Sequence, residues 1–164
     1  METGKTTFDK AAELLKSLHL KIVNEDKSRP WGGFYVIDET QAAQFAKQFF
    51  PEEDFERLKL SDKLSPKILM VAPGKRLSWQ YHHRRAEIWR CIDGEVAVAT
   101  SHTDQEENKK ILQVGDKIKL RQGERHRLIG LETWGVVAEI WQHTDAGNPS
   151  DENDIIRLQD DFGR

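Results

Sequence analysis

Residues 74–94, GKRLSWQYHHRRAEIWRCIDG, carry side chains whose types and spacing suit metal chemistry. Gly74 is followed after five residues by Gln80, then by His82 two positions on, Glu87 after four more residues and Gly94 after six. Gln80 and His82 share a face if the segment is a strand, because strand side chains alternate. The short gap lets a hairpin fold Glu87 back toward them. An amide oxygen, an imidazole and a carboxylate then converge, a mixed N/O set suited to a borderline divalent ion. A second segment offers a fourth ligand: Gly115, seven residues, Gly123, two residues, His126. Such a set leaves coordination positions open for water or substrate hydroxyls. Zinc fits it, as do manganese, cobalt, iron and nickel. His83 alternates away from His82 and is not counted as a ligand.

These two segments resemble the two motifs of the cupin superfamily. Gln80 stands where the first histidine of the pair usually lies, and His82, Glu87 and His126 match the other ligand positions. KILMVAPG at 67–74, LSWQYHHRRAEIW at 77–89, GDKIKLRQGERHRL at 115–128 and DIIRLQDDFGR at 154–164 look like the C-terminal cupin domain of type II mannose-6-phosphate isomerases. RPWG at 29–32 looks like the opening segment of that domain. The resemblance covers most of residues 29–164. It implies an all-β cupin fold (a double-stranded β-helix, or jelly-roll barrel) and zinc as a frequent metal. Arg84 and Ile88 stand where the family commonly shows histidines; neither position belongs to the four-ligand set.

The resemblance also implies an activity, the interconversion of mannose 6-phosphate and fructose 6-phosphate. An aldose–ketose isomerase moves a proton between C1 and C2, and a metal set against O1 and O2 stabilises the enediolate charge. A base must reach that proton. Glu139, within GVVAEIWQ, is the expected base, since a carboxylate in an apolar strand is costly unless paired or used, and the family carries a glutamate at the matching position. Alternation groups it with Val137 and Trp141. If it faces the cavity, burial raises its pKa. A phosphate needs cationic donors, and arginine's fork suits it. Arg157 and Arg127 lead, followed by Lys67 and Arg85, all at positions matching the family. In a regular strand, however, Arg127 and His126 face opposite ways. Asp154 is expected to orient Arg157 or a sugar hydroxyl. The alternatives are isomerisation of an unphosphorylated sugar such as lyxose or mannose, a cupin dioxygenase, and a non-catalytic sugar-binding cupin. Family members are often fused behind a sugar-nucleotide pyrophosphorylase. This chain shows no glycine-rich phosphate cradle, so nucleotide-sugar synthesis is not expected of it.

The elements that must position these residues are short β-like runs. Ile68–Val71, Leu77–His82, Ile88–Ile92, Val96–Thr100, Lys117–Leu120, His126–Ile129 and Gly135–Trp141 are punctuated by Gly and Pro, with no helical crossovers, which argues for an antiparallel barrel or sandwich. Asp93-Gly94 reads as a hairpin turn. HTDQEENKK at 102–110 and HTDAGNPSDEND at 143–154 read as polar loops. Before the barrel, residues 1–6 read as frayed and a helix starts near Thr6, with Asp9 completing a capping box. Its stripe of Phe8, Ala11, Ala12, Leu15 and Leu18 must cover the sheet or a partner subunit. A short strand follows at Leu20–Val23, NEDKSRP at 24–30 reads as a connection, and Phe34–Ile37 as a strand. A second helix is expected over Glu39–Phe49, capped by Asp38 with Gln41 at its third position, and a further turn follows near residue 58. The whole chain, 1–164, reads as one cupin domain with helical elaborations around 7–20 and 39–58 and the motif-bearing barrel at 67–142.

The composition agrees with a globular protein: 164 residues, 37% hydrophobic and 32% charged. A formal charge of -3 gives no electrostatic reason for nucleic acid binding. The single cysteine, Cys91, excludes an intrachain disulfide and reads as a buried thiol. No stretch is apolar enough to span a membrane, and METGKTTFDK has no hydrophobic signal core, so a cytoplasmic protein is expected. Open sheet edges and the N-terminal helix, together with what is common among cupins, point to a homodimer. The five tryptophans include candidates for stacking on the apolar face of a sugar ring.

Overall fold

The computed structural model describes residues 5–163; of the fraying expected over residues 1–6, residues 1–4 lie outside the described residues, and Thr6 is instead ordered as the cap of the first helix. Helix α1 (Thr7–Ser17) leads to strands β1 (Ile22–Arg29) and β2 (Gly32–Ile37). A 3-10 turn at Glu39–Gln41 precedes helices α2 (Ala42–Phe49) and α3 (Phe55–Leu58). Strands alone follow: β3 (Lys67–Val71), β4 (Trp79–Tyr81), β5 (Arg85–Asp93), β6 (Glu95–Ser101), β7 (Asn108–Gln113), β8 (Lys117–Leu120), β9 (Arg125–Gly130), β10 (Gly135–His143) and β11 (Ile156–Gln159). They form two antiparallel sheets, one ordered β1-β2-β3-β10-β5-β8 and the other β11-β4-β9-β6-β7.

Two cores hold this mostly-β fold together, one on each face of the larger sheet. Between the sheets, Leu69, Val71, Trp89, Cys91 and Val137 meet Val96, Val98, Leu112 and Leu128. On the outer face, Ile68, Met70, Ile88, Ala138 and Ile140 are covered by Ala11 and Leu15 of α1 and by Phe45, Ala46 and Phe49 of α2. The stripe on α1 therefore covers the sheet. Burial on both faces explains why KILMV and GVVAEIW are nearly continuous apolar runs rather than alternating ones. The polar exceptions, Lys67 on β3 and Glu139 on β10, are opposite each other in register and share the inter-sheet side with Leu69 and Val137.

The caps differ in detail from expectation. Thr6 accepts from the Asp9 backbone N–H and Asp9 accepts from that of Thr6, both at 3.1 Å, the capping box expected for α1. Asp38 instead caps a 3-10 turn through the Thr40 N–H. Gln41 is thereby freed from the expected box, and its amide accepts from Lys21 N–H and donates to the His19 carbonyl, each at 2.7 Å, pinning the α1–β1 connection.

Three strands depart from the sequence reading. NEDKSRP is not a connection: β1 runs to Arg29 and pairs with β2. The polar 102–110 stretch ends inside β7, and Ile156–Gln159 forms β11. All three are outer strands of their sheets, where exposed faces carry polar residues without an alternating signal. Gly94 does take a left-handed turn, at φ 66° with an added Cβ only 2.2 Å from the Trp134 carbonyl oxygen. The strands it joins, β5 and β6, however, enter different sheets, so the turn is a corner between layers and not a paired hairpin.

Candidate metal centre

The same layer change builds the site. Gln80 on β4 is opposite His126 on β9 in one sheet, whereas Glu87 lies on β5 in the other. His82 immediately follows β4, at the start of the turn that carries the chain across. The expected hairpin between them is absent; Glu87 meets the histidines across the space between the sheets.

The ligand atoms of His82, Glu87 and His126 all lie within 4.8 Å of one another, and all three residues are buried. His82 Nε2 is 3.1 Å from Glu87 Oε2, and His126 Nε2 is 3.8 Å from Glu87 Oε1. The remaining ring nitrogens are committed elsewhere. His82 Nδ1 is 2.7 Å from the Asp154 carbonyl oxygen and His126 Nδ1 is 2.9 Å from that of Glu124. A carbonyl can only accept, so each ring carries its proton on Nδ1 and turns the Nε2 lone pair inward. Burial holds His126 down to about 4, so its imidazole is neutral at ordinary pH. Gln80 donates its amide N–H to the Ser78 carbonyl at 3.2 Å, leaving Oε1 as its acceptor. These donors fit a borderline divalent ion: inward imidazole lone pairs, a carboxylate and an amide oxygen.

A guanidinium already acts as the cation among them. Arg85 Nε donates to Glu87 Oε2 at 2.8 Å, and its Nη2 lies 3.2 Å from His82 Nε2. Its Nη1 donates to Ser150 Oγ and to the Asp151 carbonyl, and its Cζ lies 3.5 Å from the Trp141 ring centroid. Burial disfavours a charge on Glu87, but the Arg85 guanidinium beside it holds the carboxyl well below its usual range. Arg85 thus lines the cavity, yet its donors are spent on the ligand set and the 150–151 loop rather than left for a phosphate.

Glu139 lines the same cavity. Its oxygens accept from two indoles, Trp89 Nε1 at 2.7 Å and Trp141 Nε1 at 2.9 Å. Trp89 Nε1 also lies 3.1 Å from Glu87 Oε1, linking the two carboxyl groups. Burial, reinforced by the charge of Glu87, pushes Glu139 well above the usual carboxyl range. Neighbouring carboxyls are thereby split, one held ionised and the other protonated more readily.

The remaining expected site residues divide. Lys67 and Arg157 line the cavity with Gln80, Glu87, His126 and Glu139. Arg127 does not: strand alternation turns it away from His126, and it is buried donating to the Leu77 carbonyl, Glu106 and Gln159. It is a scaffold cation and not a phosphate ligand. Asp154 neither orients Arg157 nor faces the cavity. Its carboxylate accepts from the backbone N–H groups of His83 and Arg84, both at 2.9 Å, and from Ser150 Oγ at 2.6 Å. With its carbonyl on His82 Nδ1, Asp154 straps the 150–154 loop to the turn that presents His82. Sequence reading missed Ser150 and Glu152, which reach the site from a loop distant in sequence and match no spacing rule.

The family model described as mannose-6-phosphate isomerase C-terminal matches residues 38–160. Similar curated proteins include the xanthan biosynthesis protein XanB of Xanthomonas campestris pv. campestris (strain ATCC 33913), 26% identical over 76% of this chain and 25% of that protein. The mannose-1-phosphate guanylyltransferase of Escherichia coli (strain K12) is 27% identical over 89% of this chain and 24% of its own. The alginate biosynthesis protein AlgA of Pseudomonas aeruginosa is 28% identical over 83% and 22%. The chain spans about a quarter of the length of these relatives, 25%, 24% and 22%. Among solved structures, CapF with a bound inhibitor superposes with a TM-score of 0.58 at 15% identity, covering 85% of this chain and 34% of that one. Recombinant oxalate oxidase in complex with glycolate gives 0.53 at 17% identity, covering 81% and 58%. At such identities these two speak for the fold alone. The match over 38–160 takes in β3 to β10 and every candidate ligand described above, and the chain belongs to the mannose-6-phosphate isomerase C-terminal family.

Proposed function

We propose that this chain is a metal-dependent sugar-phosphate isomerase that interconverts mannose 6-phosphate and fructose 6-phosphate, built on a cupin jelly roll. The observation that carries this reading is the sharing of one cavity by the His82–Glu87–His126 cluster, the high-pKa Glu139, and the cations Lys67 and Arg157. Gln80, His82, Glu87 and His126 would hold the ion, with zinc the first to try. When bound, a divalent metal supplies electrostatic stabilisation of the oxyanion that develops as the C1–C2 proton moves.

The protein groups do the rest. Glu139 takes the proton from one carbon and returns it to the next, a task favoured by a carboxyl whose affinity for protons burial has raised. Trp89 and Trp141 hold both its oxygens in place. Trp31 gives the cavity a flat apolar wall for the sugar ring, and Lys67 and Arg157 face its phosphate. Cations in the same cavity as the ligand cluster favour a phosphorylated substrate over lyxose or mannose.

The direct test incubates metal-defined protein with mannose 6-phosphate in deuterated water. Fructose 6-phosphate is expected, with exchange at C1 or C2. Absence of both product and exchange, across the metals named above, refutes the isomerase.

A further inference from the structure

We propose that Glu152 is a specificity-determining residue: its carboxylate sits on Lys67 in the place of a substrate's anionic group, and an anionic substrate enters by displacing it. This rests on the sugar-phosphate reading and identifies how that site receives its anion. Lys67 lies on a central strand and is 6% exposed. Its Nζ is 4.0 Å from the Trp141 ring centroid and 5.1 Å from that of Phe34. A buried ammonium requires a counter-charge. Glu139, opposite in register, has both oxygens engaged by indoles. The carboxylate that pairs with Lys67 directly is Glu152, in the loop between β10 and β11, and its side chain is 62% exposed. A buried cation is thus neutralised by a solvated acid. The acidic member of this pair is solvated and screened, so an incoming anion exchanges with Glu152 at small cost.

The cavity space points the same way. The cavity beside the ligand cluster measures about 90 Å³. An adjoining one, lined in part by Val36 and Ser65, measures about 290 Å³. Lys67, Trp141 and Glu152 line both. Small-molecule sites run from roughly 300 to 1,000 Å³. The inner space alone is too small, and the two joined reach that range. Moving Glu152 off Lys67 opens their shared wall. Arg157, which lines the inner cavity and has no ion pair among the described residues, then offers a second cation to the anion.

The test measures inorganic phosphate binding by calorimetry to metal-loaded wild type, Glu152→Gln, Lys67→Met and the double variant. Glu152→Gln alters an exposed loop side chain and keeps its shape. Phosphate is expected to bind about fivefold tighter to Glu152→Gln, the size of one exposed ion pair. That gain should vanish when Lys67 is also replaced. Mannose 6-phosphate should show the same gain and mannose none. Unchanged or weaker phosphate binding in Glu152→Gln, no phosphate binding in either protein, or a gain that persists without Lys67 overturns the proposal. Binding is read without turnover, so a protein that shows the gain but never isomerises sinks the isomerase reading and leaves the role of Glu152 standing.

Discussion

Replacing Asp154 by asparagine tests how the candidate metal ligands are held. The Asp154 side chain is 0% exposed and accepts from two backbone N–H groups and one hydroxyl. An asparagine of the same shape has one acceptor oxygen and an NH2 group that must face one of these donors. Losing a charged acceptor to a buried donor costs about 2–3 kcal/mol. The pKa gives an independent figure. Burial would raise it, but the Ser150 hydroxyl, the His83 and Arg84 N–H groups and the Arg84 charge bring it to about 2 from the ordinary 3.8. That depression corresponds to about 2 kcal/mol. Because the folded value is the lower one, this stability is fully present above pH 3.8 and is lost as the pH falls through about 2. Urea unfolding of metal-free Asp154→Asn at neutral pH is therefore expected to show a loss of about 2–3 kcal/mol. Loosening the strap also frees the His82 ring, and chelator competition should show metal affinity falling ~10- to 100-fold, as for other groups that orient a ligand. A stability change below about 0.5 kcal/mol with metal affinity unaltered would refute the strap.

Other expectations follow from the same geometry. His82→Ala should abolish stoichiometric metal, and elemental analysis showing full occupancy would remove His82 from the ligand set. Glu139→Gln should retain metal while losing turnover by ~100-fold or more; a near-normal rate removes Glu139 as base. The same variant also isolates a pH effect. In metal-free protein, burial holds both His126 and His143 at about 4, so the unfolded chain takes up their protons first and stability should fall from pH 6.5 to 4 by about 3 kcal/mol for each. Glu139, shifted up, opposes this over part of that window, so the slope is read by urea unfolding in the Glu139→Gln background, where a flat profile contradicts the buried neutral imidazoles.

What the sequence revealed follows from where the physical signal is local. The capping box at Thr6 and Asp9 is four residues long and was legible as such. The central strands announced themselves through apolar runs, because both faces of the larger sheet are covered. The outer strands β1, β7 and β11 did not, since residues such as Asn24, Lys110 and Arg157 satisfy solvent on an edge as readily as in a loop. The motif spacing picked out Gln80, His82, Glu87 and His126, although the path joining them is a crossing between sheets and not a hairpin. Alternation already separated Arg127 from His126. The assignments of Ser150, Glu152 and Asp154 were out of reach, because each contacts groups roughly 65 to 85 positions away with no periodic trace.

The indole N–H of Trp89 bridges Glu87 and Glu139, and that of Trp141 rests on Glu139. Two intrinsic fluorophores are therefore hydrogen-bonded to the acids that would meet an arriving cation or give up a proton. The cavity carries its own optical reporter, and emission intensity in an unlabelled sample can follow loading of the centre in real time.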